Sequence, residues 1–219
     1  MSRRRNEVFG PASHPTIRDG GATRPLDFFA GFAPGAEVLD VGCGTGIHLR
    51  DLRARGVRSA GVEVDETRAA ALRAEGFRVQ VGTAEKLPFP DGTFDGIVCS
   101  VVLPYTDERL AVREWARVLR PGGVVRASFH GVGYALEYLS PGRGVKEQFY
   151  GARMLLNTVT YRVSGRRLPG WMGDTLVQTE RRLGSYYEAY GLRLDGRHVI
   201  RGRHHAPRFI FHHLSKVAG

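Results

Sequence analysis

The segment VLDVGCGTG, residues 38–46, constrains this chain more than any other, because an apolar run leads directly into Gly42, Gly44 and Gly46. Glycine adopts left-handed backbone conformations and lets a ligand approach the main chain closely. A helix-like segment, Gly46–Arg55, follows at once. A strand, a glycine turn and a helix in succession predict the first βα unit of a sheet that binds a nucleotide-like ligand at the turn.

The same alternation continues to Phe129, with short apolar runs separated by helix-like segments that end at glycine or proline. The predicted strands are Glu37–Val41, Ser59–Val64, Phe77–Val81, Phe94–Ser100 and Val124–Phe129. Predicted helices are Gly46–Arg55, Glu66–Glu75 and Asp107–Leu119, and they end at Gly56, Gly76 and Pro121-Gly122-Gly123. Alternating strands and helices predict a mostly parallel sheet covered by helices.

Beyond Phe129 the pattern changes. Lys146–Val163 is predicted to be an amphipathic helix, because apolar residues recur in it at steps of three and four. That helix is not needed by the sheet and indicates a lid. A further helix, capped by Asp174 or Thr175, is predicted to run to about Tyr190. Two last strands, Leu192–Ile200 and Arg208–Leu214, are predicted to form a hairpin.

Two acids give the glycine turn a chemical character. Asp40 lies just before the turn, where a carboxylate would repel a pyrophosphate and suits a cationic amino group. Glu63 ends the second predicted strand, 21 residues after Gly42, and can accept hydrogen bonds from both hydroxyls of a ribose. Together they indicate an adenosine ligand that carries a positive charge. The structural alternatives are a helix-capping role for Asp40 and an exposed strand end for Glu63.

Three further segments extend the pattern: GVEVDETRAAALRAEGF (61–77), VGTAEKLPFPDGTFDGIVCS (81–100) and ARVLRPGGVV (116–125). With them the chain resembles the class I S-adenosylmethionine (SAM)-dependent methyltransferases over roughly residues 35–130. The resemblance implies an α/β fold with a seven-stranded Rossmann-like sheet, mostly parallel with an antiparallel last strand. It also implies SAM as cofactor and S-adenosylhomocysteine as product.

On this resemblance we expect one domain, 1–219, in four parts. These are an N-terminal cap segment (1–34), a cofactor-binding core (35–130), a helical lid insertion (134–175), and the last helix with the terminal strands (176–219).

The resemblance also implies a cofactor site. The three glycines would line the methionine moiety, Glu63 would hold the ribose, and Ser100 and Val101 would border the sulfonium. Thr83 stands where family members often have an acid, so Glu85 or a backbone carbonyl could contact the adenine amino group instead. The full predicted set is Asp40, Gly42, Cys43, Gly44, Gly46, Glu63, Val64, Thr83, Ala84, Glu85, Ser100 and Val101.

Residues for the acceptor follow from position alone. Tyr105 comes after the fourth predicted strand and His130 after the fifth, at the sheet edge where such folds bind ligands. They are the catalytic candidates, with an aromatic wall and a hydrogen-bonded structural histidine as alternatives. His14, Tyr134 and Trp171 are the candidates for substrate binding.

The net charge and the cysteine content limit the partners that the chain can have. The net charge is +10, and residues 130–219 hold 14 basic against 6 acidic residues. This excess could serve an anionic acceptor or RNA, or be an arginine-rich surface. Cys43 and Cys99 lack metal or redox spacing, and the five histidines after residue 190 have no acidic or cysteine partner at useful sequence spacing, so we expect no metal. No apolar run reaches 18 residues, so we expect a cytoplasmic protein without membrane partners.

Together with the resemblance, these observations predict an enzyme that methylates an oxygen or nitrogen of a small-molecule acceptor, a natural-product or metabolic intermediate, as a monomer or homodimer. The basic excess would suit an anionic acceptor. The alternatives are an RNA methyltransferase, a C-methyltransferase and a non-catalytic SAM-binding module.

Overall fold

The computed structural model describes residues 25–217 and, within them, every side chain except those of Pro25, Leu26 and Trp171. The strands are β1 (Glu37–Val41), β2 (Arg58–Glu63), β3 (Arg78–Val81), β4 (Phe94–Ser100), β5 (Leu119–His130), β6 (Leu192–Arg201) and β7 (Pro207–Lys216). The α-helices are α1 (Pro25–Phe29), α2 (Ile47–Ala54), α3 (Glu66–Ala74), α4 (Glu108–Val118), α5 (Val132–Tyr138), α6 (Val145–Ser164) and α7 (Glu180–Ala189). Short 3₁₀ helices lie at Leu103–Tyr105 and Gly170–Gly173.

The strands form one sheet in the order β3-β2-β1-β4-β5-β7-β6. β1 to β5 pair in parallel, and β7 is antiparallel to both of its neighbours, β5 and β6. Strand order reverses between β1 and β4, so the carboxyl ends of these two strands border the crevice where open α/β sheets bind ligands. The predicted fold class is confirmed.

Local sequence explains where the helices begin and how they pack. The carboxylates of Asp65 and Asp107 accept hydrogen bonds from the third N–H of α3 and α4 respectively, the usual N-cap contact. Helix α4 buries Ala111, Trp115 and Val118 completely against the sheet, as the sequence pattern predicted. Both helices therefore hold the loops that precede them, which are loops of the candidate site.

The segment between β5 and α7 contains α5, α6 and the second 3₁₀ helix, and we call residues 131–179 the insertion. One prediction here is wrong: α7 begins at Glu180, after Thr179, rather than after Asp174 or Thr175. The backbone of the intervening residues is engaged elsewhere, since the Leu176 N–H donates to Pro104 O at 2.9 Å and the Thr175 carbonyl accepts from Asn157 Nδ2 at 2.8 Å. Those bonds hold the stretch extended, so it is unavailable to a helix.

Among residues 25–217, no helix is both long and apolar enough to cross a membrane.

Candidate functional site

The glycine turn between β1 and α2 has the geometry that its sequence predicts. Gly42, Gly44 and Gly46 have φ of 70°, 54° and 80°, in the left-handed region that favours glycine. A Cβ at Gly42 would lie 2.4 Å from Val102 Cγ2, and one at Gly46 would lie 2.4 Å from Leu72 Cδ2. Both conformation and space therefore exclude a side chain here, and the turn leaves backbone exposed to a ligand.

Asp40, at the end of β1, is buried, and its Oδ2 has no hydrogen-bond partner among the described residues. Burial, with the nearby charge of Glu63, raises the pKa of this carboxyl to about 8. A buried polar atom without a partner calls for a ligand or an ordered water. A cationic amino group would fit this carboxylate, so the residue type suits the ammonium of an amino-acid ligand.

Glu63 closes β2 and faces the same turn. Its Oε2 accepts the Gly44 N–H at 2.8 Å, and its Oε1 accepts the Asp65 N–H at 3.0 Å. Each carboxylate oxygen keeps a second lone pair, so both can still accept a ligand hydroxyl. The carboxylate is thus held in place by the glycine turn on one side and the start of α3 on the other.

The predicted adenine contacts follow β2 and β3. Val64 is largely exposed and Ala84 is buried. Thr83 forms a short bridge with Lys86. Glu85 has a structural partner, since its Oε1 accepts the Asp107 N–H at 2.9 Å and ties this loop to the start of α4. The adenine roles of these residues stay predictions, and the bond to Asp107 occupies part of the hydrogen-bonding capacity of Glu85.

Val101, directly after β4, has a φ of 58°, which is costly for a β-branched residue. Its N–H donates to the Ser128 carbonyl at 2.9 Å, and the Ser100 and Ser128 hydroxyls are 3.4 Å apart. Strained backbone of this kind persists where the surroundings impose it, often at functional sites. The strain lies where the sulfonium is predicted.

His130 ends β5 and is buried. Its ring stacks on Tyr134 of α5 with centroids 3.6 Å apart, and its Nδ1 has no hydrogen-bond partner among the described residues. Burial and, to a lesser extent, Arg208 lower its pKa to about 3. The imidazole is therefore neutral at physiological pH.

Two tyrosines that the sequence analysis did not single out, Tyr138 and Tyr150, lie beside the stacked pair of His130 and Tyr134. The Tyr134 and Tyr138 hydroxyls are 3.3 Å apart, and the Tyr138 and Tyr150 rings meet edge to face at 5.0 Å. The hydroxyl of Tyr150 lies 3.3 Å from that of Thr175. Tyr105 has a raised pKa, caused first by desolvation and then by Tyr150 and Tyr138. We call Tyr105, Tyr134, Tyr138 and Tyr150 the tyrosine cluster. The tyrosine cluster shows no periodicity in the sequence, because its members come from the first 3₁₀ helix and from helices α5 and α6.

Arg167 is a second feature that the sequence did not reveal. Its guanidinium donates to the carbonyls of Pro104, Gly173 and Asp174 at 3.2, 3.2 and 3.3 Å, and also to that of Thr106. Burial lowers its pKa. One side chain therefore joins the end of the insertion to the loop after β4.

Some predicted residues lie outside this arrangement. His14 belongs to residues 1–24 and the side chain of Trp171 is not described, so the structure places neither side chain. Of the five late histidines, His212 is buried between the Tyr187 hydroxyl and Glu180, 3.1 Å from each. Within residues 25–217 no three His, Cys, Asp or Glu side chains gather as metal ligands. Burial raises the pKa of the Cys43 thiol, so the thiol in the turn stays protonated.

A doubly wound sheet with a glycine turn after β1 and acids at the ends of β1 and β2 defines a Rossmann-like nucleoside-binding protein. Comparison with known families supports a narrower class: residues 39–127 match the methyltransferase domain family. The chain is 36% identical over 94 residues to a demethylmenaquinone methyltransferase of Mycolicibacterium paratuberculosis, covering 42% of this chain and 41% of that protein. It is also 36% identical over 95 residues to a malonyl-[acyl-carrier protein] O-methyltransferase of Serratia marcescens, covering 42% and 37%. These matches span about two fifths of each relative's length.

Solved structures share the fold over most of the chain. A SAM-dependent methyltransferase from Methanosarcina mazei superposes with a TM-score of 0.65 at 18% identity, covering 86% of this chain and 95% of that one. A geranyl diphosphate methyltransferase solved in complex with SAM gives 0.62 at 16% identity, covering 88% and 82%. Over residues 39–127 the chain is similar to the methyltransferase domain family, and over most of its length it has the fold of SAM-dependent methyltransferases.

Proposed function

We propose that the protein transfers the methyl group of SAM to an oxygen or nitrogen of a small-molecule acceptor, which is held beneath the insertion acting as a lid. The observation that carries this proposal is the attachment of the insertion to the carboxyl ends of β4 and β5. The Leu176 N–H donates to Pro104 O at 2.9 Å, and the Gln178 N–H donates to His130 O at 3.1 Å. A cover fixed at both strand ends suits a small acceptor better than a folded RNA.

SAM supplies a methyl group already activated by its sulfonium, so the chain has to bind, align and exclude water. The exposed backbone at Gly42 and the open space beside Gly44 let a ligand approach the turn. Asp40 suits the ammonium of the ligand, and Glu63 suits its ribose hydroxyls. These residues fit the cofactor in charge and in space.

Neither catalytic candidate suits proton abstraction at neutral pH. The pKa of His130 is lowered to about 3, and that of Tyr105 is raised, so the first is a weak base and the second stays protonated. The geometry favours hydrogen bonding and positioning by these residues. An acceptor that is nucleophilic without a protein base, such as a carboxylate, an acidic phenol or an amine, therefore fits best.

Buried polar groups on the acceptor side are consistent with such an acceptor. Both amide atoms of the Gln178 side chain are buried without a hydrogen-bond partner in the described part of the chain, as is Nδ1 of His130. Groups of this kind are satisfied by a ligand or by water. The names of the demethylmenaquinone and malonyl-[acyl-carrier protein] methyltransferase relatives also favour an acceptor other than RNA, since neither name refers to RNA. Both cysteines are free and buried thiols, which supports a cytoplasmic location.

The test is formation of S-adenosylhomocysteine by the purified chain with SAM and a panel of small carboxylic acids, phenols and amines. Product that requires both the chain and one acceptor supports the proposal. Gly42→Ala is the matched control for the cofactor site, since its Cβ would displace Val102. A chain that binds SAM yet methylates only RNA would overturn the assignment of the acceptor, and one that yields no product with any acceptor would point to a binding module.

A further inference from the structure

Helix α6 carries an apolar stripe that is largely exposed in the described part of the protein. Its members are Val145, Phe149, Ala152, Leu156, Val159 and Val163, and we call them the outer stripe. The five larger side chains are exposed over between 50% and 83% of their surface. The opposite face of the helix holds the buried residues Gly151, Met154 and Asn157. The helix therefore has two opposite apolar faces, one packed inside the protein and one exposed.

The spacing of the outer stripe is that of a seam between helices. Its successive steps are 4, 3, 4, 3 and 4 residues, a mean period close to 3.5, which keeps apolar residues facing a partner helix. The stripe runs the length of a 20-residue helix, about 30 Å. Scattered exposed apolar residues are ordinary, whereas a continuous row marks an interaction surface.

The outer stripe is complementary to itself. Position 154 is its midpoint, so Val145 and Val163, Phe149 and Val159, and Ala152 and Leu156 lie at equal distances on either side. Two copies of α6 packed antiparallel, with a two-fold axis beside position 154, bring each residue opposite its mirror position. The large Leu156 then meets the small Ala152, and Phe149 meets Val159. Such reciprocal contacts are those of a two-fold symmetric interface.

The flanking residues agree with that arrangement. It places Gln148 beside Arg162 of the second copy, Lys146 beside Thr160, and Leu155 beside its own equivalent, so like charges do not meet. Arg153 is removed from the seam, because it is buried in its own chain with Asp174 at 2.8 Å. A parallel pair would instead bring Lys146 and Arg162 each near its own equivalent.

The remaining occupant within the chain is its own N-terminal segment. Residues 1–24 contain five arginines against two acids. Lys146 and Arg162, which flank the outer stripe, would repel such a segment. A second copy of α6 matches the surface in both spacing and charge.

We propose that the protein forms a homodimer in which the outer stripes of two α6 helices pack antiparallel. The interface is independent of the methyl-transfer proposal. The interface nevertheless affects the insertion, because Asn157 on the inner face of α6 is bonded to two other parts of it. Asn157 Nδ2 donates to Thr175 O at 2.8 Å, and Asn157 Oδ1 accepts the Leu168 N–H at 2.9 Å. Pairing therefore braces the helix that carries one side of the insertion.

The first experiment is analytical ultracentrifugation of the full chain and of charge variants at the centre of the stripe. We expect a wild-type dimer, and a dissociation constant at least about tenfold higher for Leu156→Lys and Leu156→Glu alone, because each variant places like charges across the two-fold axis. Mixing the two variants should restore dimers. Leu194→Lys, at a comparably exposed leucine on β6, is the matched control and should leave the dimer unchanged.

The second experiment determines orientation by disulfide trapping, for which the native Cys43 and Cys99 are buried and do not compete. A mixture of Ala152→Cys and Leu156→Cys chains should cross-link, because these two positions face each other beside the axis. Val145→Cys alone should not, because its two copies lie about 27 Å apart in the antiparallel pair. A mixture of Val145→Cys and Val163→Cys chains should cross-link. A monomeric wild type, a dimer indifferent to the Leu156 variants, self-linking of Val145→Cys, or a monomer that sediments with anionic phospholipid vesicles through this stripe would each overturn the proposal.

Discussion

At the scale of single residues, the glycine turn depends on positions that have no space for a side chain. Gly42 and Gly46 stand where a Cβ would meet a neighbouring side chain at 2.4 Å, whereas Gly76, also with φ near +80°, has open space around it. All three positions impose the same backbone penalty on alanine, so they differ only in the space that a methyl group would fill. Comparing alanine variants at Gly42 and Gly76 therefore distinguishes damage to the cofactor site from the effect of backbone strain alone.

Replacement of Gly42 by alanine should therefore weaken SAM binding by at least about tenfold, since the clash with Val102 shifts the turn. Gly76→Ala should lower the thermal stability by about the same amount, near 1 kcal/mol from the left-handed backbone, without changing the affinity. Isothermal titration calorimetry with SAM and thermal unfolding of both variants measure the two effects. Equal affinities for Gly42→Ala and Gly76→Ala would contradict the placement of the cofactor at this turn.

Asp40 links cofactor binding to protons. With a pKa of about 8 the free protein holds Asp40 protonated at pH 7, whereas a bound ammonium favours the carboxylate. SAM binding at pH 7 should therefore release close to one proton, and affinity should rise between about pH 6 and pH 8. The observed binding enthalpy should differ between buffers of different ionisation enthalpy, and Asp40→Asn should lose both that difference and about 10- to 100-fold in affinity. Identical enthalpies in the two buffers for the wild type would exclude this role.

The same residue gives a stability profile of defined sign. Its folded pKa is raised above the ordinary value near 4, so the folded state binds more protons than the unfolded state. The contribution of Asp40 to stability is full below about pH 4 and is lost as the pH rises toward 8. Denaturant unfolding of the cofactor-free protein should show this decline across the window, and Asp40→Asn should flatten it. A wild type whose decline matches that of the variant would show that Asp40 is not the cause.

At the scale of elements, the insertion is held to the sheet by polar contacts that converge on the loop after β4. Arg167 donates to carbonyls on both sides of that junction, and Asn157 and Thr158 hold the stretch before α7 through Thr175 O and the Val177 N–H. Hydrogen bonds from a buried guanidinium to carbonyls have a large desolvation cost when lost. The position of the insertion thus depends on few side chains.

Arg167→Met should keep the stem of the side chain and lose its donors. The variant should lose about 1 to 3 kcal/mol of stability and raise the KM for the acceptor more than the affinity for SAM falls. The adjacent Arg166→Met, at an exposed position, is the control and should change neither. Chemical denaturation and steady-state kinetics give both quantities. A rise in KM that is matched by an equal loss of SAM affinity would place Arg167 in support of the whole site instead of the lid.

Elements also show what the sequence could predict and what it could not. Strands β1 to β4 and helices α2 to α4 follow from apolar periodicity and glycine stops, because each is decided by its own residues. Strand β5 begins at Leu119, five residues before the predicted Val124, so Pro121-Gly122-Gly123 lies within the strand. The start of α7 was placed four or five residues too early, because the bonds that keep Thr175–Gln178 extended come from α6 and Pro104, which are distant in the chain. Tyr105 and Tyr134 were singled out, whereas Tyr138 and Tyr150 of the tyrosine cluster were missed for the same reason. Acids and glycines at strand ends are visible in sequence since their chemistry is local, whereas an acceptor pocket is assembled from separate elements.

At the scale of the whole molecule, the basic excess after residue 130 is partly neutralised within the fold. Six of its fourteen basic residues form ion pairs in the structure: Arg143, Arg153, Arg182, Arg193, Arg197 and Arg208. The Arg182–Glu108 pair is buried, and Arg167 is engaged with carbonyls. A cation that already has a partner inside its own chain contributes less to binding an external polyanion.

This arrangement makes the RNA alternative testable by salt alone. A protein that neutralises several phosphates loses affinity for RNA steeply between about 50 and 200 mM salt, because counterions are released on binding. We expect weak binding of single- and double-stranded RNA with a shallow salt slope, since the ion pairs leave few cations in any one patch. Arg201→Gln, at the end of β6, and Arg203→Gln, in the turn before β7, remove cations without touching the six ion pairs and serve as the most sensitive probes. Tight binding with a slope that falls in these variants, measured by fluorescence anisotropy, would transfer the acceptor assignment from a small molecule to RNA.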